Sequence, residues 1–145
     1  MKTSNLQRFI DAQDRDYRTA LEELRAGAKR SHWMWYIFPQ IKGLGRSSMS
    51  QKFAIDSLEE AKAYLAHAIL GLRLVECTQV VLYLKSRTAK QIFSYPDDLK
   101  FRSSMTLFEQ AADDQGVFRL ALLKYFEGQP DAQTLKILRA RPEGS

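Results

Sequence analysis

Apolar positions follow helical spacing along most of the chain. Leu6, Phe9 and Ile10, with Gln13 in register, recur at intervals of three and four, as do Tyr17, Leu21 and Leu24. This pattern predicts a first helix, bent or broken near Asp14 and closed by Gly27, a residue that adopts the left-handed cap conformation without strain. Residues 28–46 have no clean period. They contain Pro39, Gly43 and Gly45 and read as a long, aromatic-rich structured loop with at most one short helical turn. A loop of that length inside a compact domain is uncommon and is often functional.

Helical patterning resumes with a short helix expected over residues 47–55. The sequence Ser57-Leu58-Glu59-Glu60 has the form of a capping box, in which a hydroxyl accepts from helix amides and a glutamate lies three residues on. The helix it opens carries Leu58, Ala61 and Leu65 on one face. Residues 69–84 are apolar nearly all round, with Leu70, Leu74, Cys77, Val81 and Leu84 in one stripe, which predicts a central buried helix. The β-branched run at 80–84 leaves a short strand as the rival assignment. Thr88 can cap a short helix ending at Phe93. Pro96 suits the first position of the next helix, where Asp97 and Asp98 complement the positive end. Phe101, Met105, Phe108 and Ala112 form its core face. A further helix is expected over 117–126, closed by Gly128, and Pro130-Asp131 opens a last one with Leu135 and Leu138 facing inward. The fold class is all-α: a single compact multihelical domain over residues 1–145, with an ordered core over about 5–140 and a short flexible C-terminal tail.

Composition narrows the class of protein. Hydrophobic residues make up 45% and charged residues 27% of the 145, a balance that supports a buried core and excludes disorder. No apolar run approaches the roughly 20 residues that span a bilayer, and the N-terminus lacks the apolar stretch of a signal peptide. The single cysteine, Cys77, cannot form an internal disulfide and reads as an inert buried thiol. A cytoplasmic location, with no membrane association, is the expectation. The net charge of +5 is spread along the chain rather than gathered in a stripe, so a nucleic-acid partner is not expected, whereas a small anionic ligand is compatible with it. Nothing in the pattern sets the oligomeric state.

Two stretches carry residues that helix amphipathicity does not explain. The first is Ser31-His32-Trp33-Met34-Trp35-Tyr36-Ile37-Phe38-Pro39-Gln40, which holds both tryptophans and one of two histidines. Trp33 and Trp35 could stack on a flat ring, His32 could move a proton near neutral pH, and the Gln40 amide could read a polar edge. The same residues could equally be packed between helices. The second is Asp97-Asp98-Leu99-Lys100-Phe101-Arg102-Ser103-Ser104-Met105-Thr106. Asp97 and Asp98 are candidate proton-transfer groups, and Lys100 and Arg102 could meet a ligand's charge. Ser103 and Ser104 are poor interior helix formers, which points either to close packing of small side chains or to hydroxyls aimed at a ligand. No metal or cofactor is expected: His32 and His67 have no partner at ligand spacing, and no phosphate-binding loop or nucleophile elbow is present.

Both stretches, together with Leu44-Gly45-Arg46-Ser47, Glu60-Ala61-Lys62-Ala63-Tyr64-Leu65, Leu70-Gly71-Leu72-Arg73-Leu74 and Ser103-Ser104-Met105-Thr106-Leu107-Phe108, resemble the bacterial family catalogued as domain of unknown function 1810. The resemblance covers residues 6–138. It implies a mainly helical fold and brings no assigned activity. Some members carry the label calpastatin, which does not suit a folded domain because calpastatins are disordered inhibitors. Ala68 stands where the family usually has proline, and Ser94 where it usually has glycine. A fainter likeness is to NADAR-type enzymes, which act on N-glycosidic bonds of ADP-ribose. It rests on Lys52-Phe53 after an aromatic-histidine segment and on residues 67–74. The glutamate that precedes histidine in those enzymes is Ser31 here, which removes the obvious acid.

These readings lead to one expectation: a helical domain that binds a small anionic aromatic ligand, such as a nucleotide or ADP-ribose derivative, between residues 31–45 and the helix beginning at Asp97. The alternative is a protein-interaction module with no catalytic activity, in which the aromatic stretch is core.

Overall fold

The structure is a computed structural model that describes residues 5–114 and 116–140; the tail expected after residue 140 lies outside them. Nine helices follow one another among the described residues: α1 (Gln7–Arg25), α2 (Met34–Ile37), α3 (Ser48–Lys52), α4 (Leu58–Ala66), α5 (Leu70–Tyr83), α6 (Ala89–Phe93), α7 (Asp97–Ala111), α8 (Gly116–Phe126) and α9 (Ala132–Ala140). The sheet-like pairing among these residues is one isolated parallel bridge, Ile41 with Ile55. The fold is all-α. The run at 80–84 that could have formed a strand lies in α5 and its cap.

The element at the centre is α7. It packs against α4, α6, α8 and α9, and almost every residue from Phe101 to Ala111 is buried. Residues 69–84 predicted that role for α5. Leu70, Leu74, Cys77 and Val81 of α5 are indeed buried, and burial pushes the Cys77 thiol up to about 12, the behaviour of an inert core cysteine. The opposite side of α5 faces out, however, with Leu72 73% and Tyr83 84% exposed. The reason lies in side-chain size. Ser103, Ser104 and Thr106 give α7 small buried faces, so neighbours can close on most of it, with Leu99 and Gln110 left exposed.

Local signals explain most boundaries. Helix α1 runs unbroken through Asp14, where a bend was expected. Gly27, at φ +73°, ends it: its N–H donates to the Leu24 carbonyl and the Ala28 N–H to that of Glu23, the paired bonds of a Schellman cap. Ser57 Oγ accepts from the Glu60 N–H at 3.1 Å, while the Glu60 carboxylate accepts from the Asp56 N–H and from Arg8. The full reciprocal box forms instead at Thr88 and Gln91. Pro96 sits at the N-cap of α7, one position earlier than expected. Helix α3 stops at Lys52 rather than continuing to residue 55, because Ile55 is drawn into the bridge: its N–H donates to the Gln40 carbonyl and its carbonyl accepts from the Lys42 N–H, both at 2.8 Å.

Residues 28–46, expected to be a structured loop with at most one helical turn, are exposed at the far end and buried in the middle. They hold the one-turn helix α2, and Trp33, Met34, Tyr36, Ile37, Phe38, Pro39 and Ile41 are buried. Phe38 meets Phe101 of α7 edge-on, with ring centroids 5.0 Å apart, and Phe93 of α6 at 5.9 Å. The stretch is a wedge driven between α1 and α7.

Candidate functional site

The wedge is held by a carboxylate from α1. Glu23 Oε1 accepts from the N–H groups of Arg30 and Ser31 and from the indole Nε1 of Trp33, at 2.8, 2.9 and 2.9 Å. Its Oε2 accepts from the Ser31 hydroxyl at 2.6 Å. Burial acts to raise the pKa of this carboxyl, but the hydrogen bonds from Ser31, Arg30 and Trp33 outweigh it and bring the value down from 4.5 to about 2. Glu23 is therefore an ionised anchor. Deeper in, Gln13 Nε2 donates to the Tyr36 carbonyl at 2.7 Å and to the Tyr64 hydroxyl oxygen at 2.9 Å, and the Tyr36 hydroxyl donates to Asp16. Glu23 does not stand out in the sequence, because it is a polar residue in an amphipathic helix, whereas Gln13 falls in register with the apolar positions of α1.

The anchored wedge brings Lys29 and Trp35 to the first turn of α7. Lys29 Nζ lies 2.9 Å from Asp97 Oδ2, donates to the Ser31 carbonyl at 2.6 Å and sits 5.1 Å from the Trp33 ring centroid. Lys100 Nζ lies 3.4 Å from Asp97 Oδ1 and 5.3 Å from the Trp35 ring centroid. Asp97 is thus bridged by two ammonium groups, one from the segment leading into the wedge and one from α7 itself. Trp35 is only half-buried and contributes to a small cavity of about 30 Å³ together with Gln40, Gly43, Gly45, Ser50 and Gln51. Gly45 is required there, since a Cβ would stand 2.5 Å from the Ser50 side chain.

The remaining candidates separate. Trp33 is fully buried with its N–H spent on Glu23, so it cannot stack on a ligand; it is the plug of the wedge. Arg102 points to the other side of α7, where its Nε donates to the Gln129 carbonyl at 2.9 Å and its guanidinium lies over the Phe126 ring. It therefore cannot act with Lys100. The Ser103 hydroxyl is buried and bonded to the Leu99 carbonyl at 3.1 Å, a packing role. Ser104 is fully buried, without a path to solvent. His32 is exposed, and Asp98 lies partly buried beside Asp97.

Among the described residues, three buried side-chain polar atoms have no hydrogen-bond partner: Trp35 Nε1, Asp98 Oδ1 and Ser104 Oγ. All three lie on α7 or on the wedge packed against it. No group of three His, Cys, Asp or Glu side chains among those residues could hold a metal ion. No single helix there is long and apolar enough to cross a membrane, and the one helix pair that is, α4 with α5, is bent by 88°.

A small helical protein with a Lys–Asp–Lys bridge closing an aromatic wedge is the class this geometry defines. Residues 3–138 match the family model described as a protein of unknown function, DUF1810, and the chain belongs to that family. Its fold is similar to the crystal structure of the conserved hypothetical protein Rv1873 from Mycobacterium tuberculosis. The two share 51% identity over 92% of this chain and 96% of that one, with a TM-score of 0.91. No curated protein matches the chain.

Proposed function

We propose that the protein binds a small aromatic ligand carrying an anionic group, of the nucleotide or ADP-ribose class, in the crevice between the wedge and the first turn of α7. The observation that carries this reading is the set of unpartnered buried polar atoms. Such atoms cost about 1–3 kcal/mol each when left unmade, and folded proteins keep few of them without a reason. Here Trp35 and Asp98 hold two of them, on the wedge and in the first turn of α7; the third, on Ser104, lies in the interior farther along α7. A second observation supports the anionic part. Residues 29–52 contain Lys29, Arg30, Lys42, Arg46 and Lys52 and no carboxylate; Lys29 and Lys42 pair with Asp97 and Asp56 and Glu23 packs on the stretch, which leaves Arg30, Arg46 and Lys52 as the cations that favour an anion there. Trp35 takes the stacking role in place of Trp33, and His32 and Gln40 lie on the same stretch.

Thermal-shift measurements test the reading. Adenosine 5′-monophosphate or ADP-ribose at about 100 times its dissociation constant should stabilise by roughly 2.7 kcal/mol, a shift of several degrees. Adenosine should do less, and added salt should narrow the difference. Equal shifts for charged and neutral probes would remove the anionic part, and no shift from any of them at millimolar concentration would remove the reading.

The second reading, a protein-interaction module without catalytic activity, draws on a different face. A groove of about 400 Å³ between α5 and α8 is lined by Gln79, Leu82, Tyr83, Val117 and Leu120, with Tyr83 and Leu120 largely exposed. Failure of the ligand test would move this reading ahead.

A further inference from the structure

We infer that the groove between α5 and α8 is covered by the same groove of a second copy of this chain, the two related by a two-fold axis. This pairing gives the groove of the second reading its partner, and it holds whether or not the crevice binds a ligand. Seven large apolar side chains are exposed among the described residues, and five of them, Ile69, Leu72, Tyr83, Leu120 and Leu123, belong to α5, its N-cap or α8. On α5, Leu72, Glu76, Gln79 and Tyr83 recur at intervals of three and four and are all exposed, so they form one outward face. On α8, Leu120, Leu123 and Lys124 do the same. The groove lies between these faces, and its lining of Gln79, Leu82, Tyr83, Gly116, Val117 and Leu120 includes no charged side chain. Interface centres are depleted of charge in that way, and tyrosine is among the residues that anchor them.

The charges at the two ends of the groove select the occupant. At the Gly116 end, Asp114 Oδ1 accepts from the Gly116 N–H at 3.1 Å, and Asp113 and Asp114 are both exposed. At the other end, Lys124 Nζ donates to the Leu82 and Leu84 carbonyls at 2.6 and 2.5 Å, with exposed Lys85 and Glu127 close by along the chain. None of these five groups takes part in an ion pair among the described residues. The first end therefore carries two negative charges and the second a net positive charge. In a two-fold interface the same patch meets itself, so residue i touches j and j touches i. Such a patch must complement itself, and this one does so when the two copies of α8 run antiparallel, with the acidic end of each on the basic end of the other. Leu120 is four residues from both Gly116 and Lys124 and so falls at the axis. Tyr83, exposed at the rim, then enters the groove of the other copy. A parallel arrangement would set Asp113 and Asp114 against their own counterparts. A nucleic acid, with one sign of charge throughout, matches only one end.

Sedimentation velocity of the full chain from micromolar to millimolar concentration tests the pairing. The wild type should show a monomer–dimer equilibrium that added salt weakens. Two short helix faces make a small interface, which places Kd on the order of 10–100 µM. Leu120→Glu sets like charges against each other at the axis and should raise Kd about tenfold or more. Lys85→Glu gives both ends a net negative charge and should raise it about fivefold. Adding Asp113→Lys to that chain should recover about half of the loss or more, a rescue that only contact between opposite ends produces. The replaced side chains are exposed, so melting of dilute, monomeric protein should match the wild type and the change in Kd reads the interface alone. A wild type that stays monomeric to millimolar concentration would overturn the pairing and leave the groove to a different protein. A dimer indifferent to Leu120→Glu would overturn it as well. A dimer that Leu120→Glu breaks, but that gains nothing from Asp113→Lys in the Lys85→Glu chain, would overturn the antiparallel arrangement.

Discussion

The junction of the wedge with the start of α7 and the groove between α5 and α8 leave opposite kinds of group without a partner. At the junction they are polar and buried: Trp35 Nε1 and Asp98 Oδ1, with Ser104 Oγ farther along α7. In the groove they are apolar and exposed: Tyr83 at 84% and Leu120 at 54%. The two are not equivalent energetically. A buried donor or acceptor left unmade costs about 1–3 kcal/mol. An apolar side chain in water forgoes burial energy without destabilising the fold, and most protein surfaces carry many such side chains. The first kind demands an explanation and the second permits one. That asymmetry is why the ligand reading rests on the crevice although the groove is the larger cavity.

The comparison is broken most directly by asking whether the aromatic stretch is core or lining. The structure divides it: Trp33 is core and Trp35 is edge. Trp33→Ala should cost about 3–5 kcal/mol in chemical denaturation, as loss of a buried aromatic does, with the added loss of a donor to Glu23. Trp35→Phe should cost far less. Similar losses for the two would mean that the stretch is uniformly core and that the crevice has no open ring.

The anchor gives the next effect in size. Glu23 has its pKa lowered from 4.5 to about 2 in the folded chain. A depressed carboxyl contributes stability that is full above its unfolded value and is lost as pH falls through the folded value. The loss should therefore develop between about pH 4.5 and pH 2. Discounted for partial exposure, it is on the order of 1–2 kcal/mol. Glu23→Gln keeps an acceptor oxygen but not the charge, so its stability should fall less steeply across that window. Identical acid profiles for the two proteins would show that the carboxylate does not anchor the wedge.

How much of this was legible in the sequence follows from what is local. Helix content, the Gly27 stop and the Thr88 cap depend on residues within a turn of one another, and the pattern of apolar positions reports them. For Ser103 and Ser104 the sequence left close packing of small side chains and hydroxyls aimed at a ligand as equal alternatives, and only the neighbouring helices show how much of α7 from Phe101 to Ala111 is buried. Arg102 was grouped with Lys100 by proximity along the chain, yet two residues on a helix are roughly 200° apart in direction, and it reaches Gln129 instead. The anchoring role of Glu23 needed the chain to turn at Gly27 and return, a contact that no spacing rule contains. The two stretches singled out as unexplained do meet in space, through Trp35 and Lys100 and through Phe38 and Phe101. The sequence did not indicate which of their side chains would be spent on holding each other.

The smallest effect sharpens the comparison furthest, because it carries its own control. Ser103 and Ser104 are adjacent in α7 and both buried, but the Ser103 hydroxyl donates to the Leu99 carbonyl at 3.1 Å and the Ser104 hydroxyl has no partner. Replacement of either by alanine brings the same gain in helix propensity, about 0.5 kcal/mol. The substitutions differ in the hydroxyl they delete. Ser103→Ala removes a bond that is made; Ser104→Ala removes a group whose desolvation is uncompensated. The Ser104→Ala protein should therefore be the more stable of the two by about 1 kcal/mol, while Tyr83→Ser on the exposed groove should stay within about 0.5 kcal/mol of wild type. Urea denaturation with equal m-values across the set gives the comparison cleanly. If Ser104→Ala proves the less stable variant, its hydroxyl is partnered by water in the folded protein. The count of orphaned atoms then drops to the pair at Trp35 and Asp98, and the case for the crevice rests on those two alone.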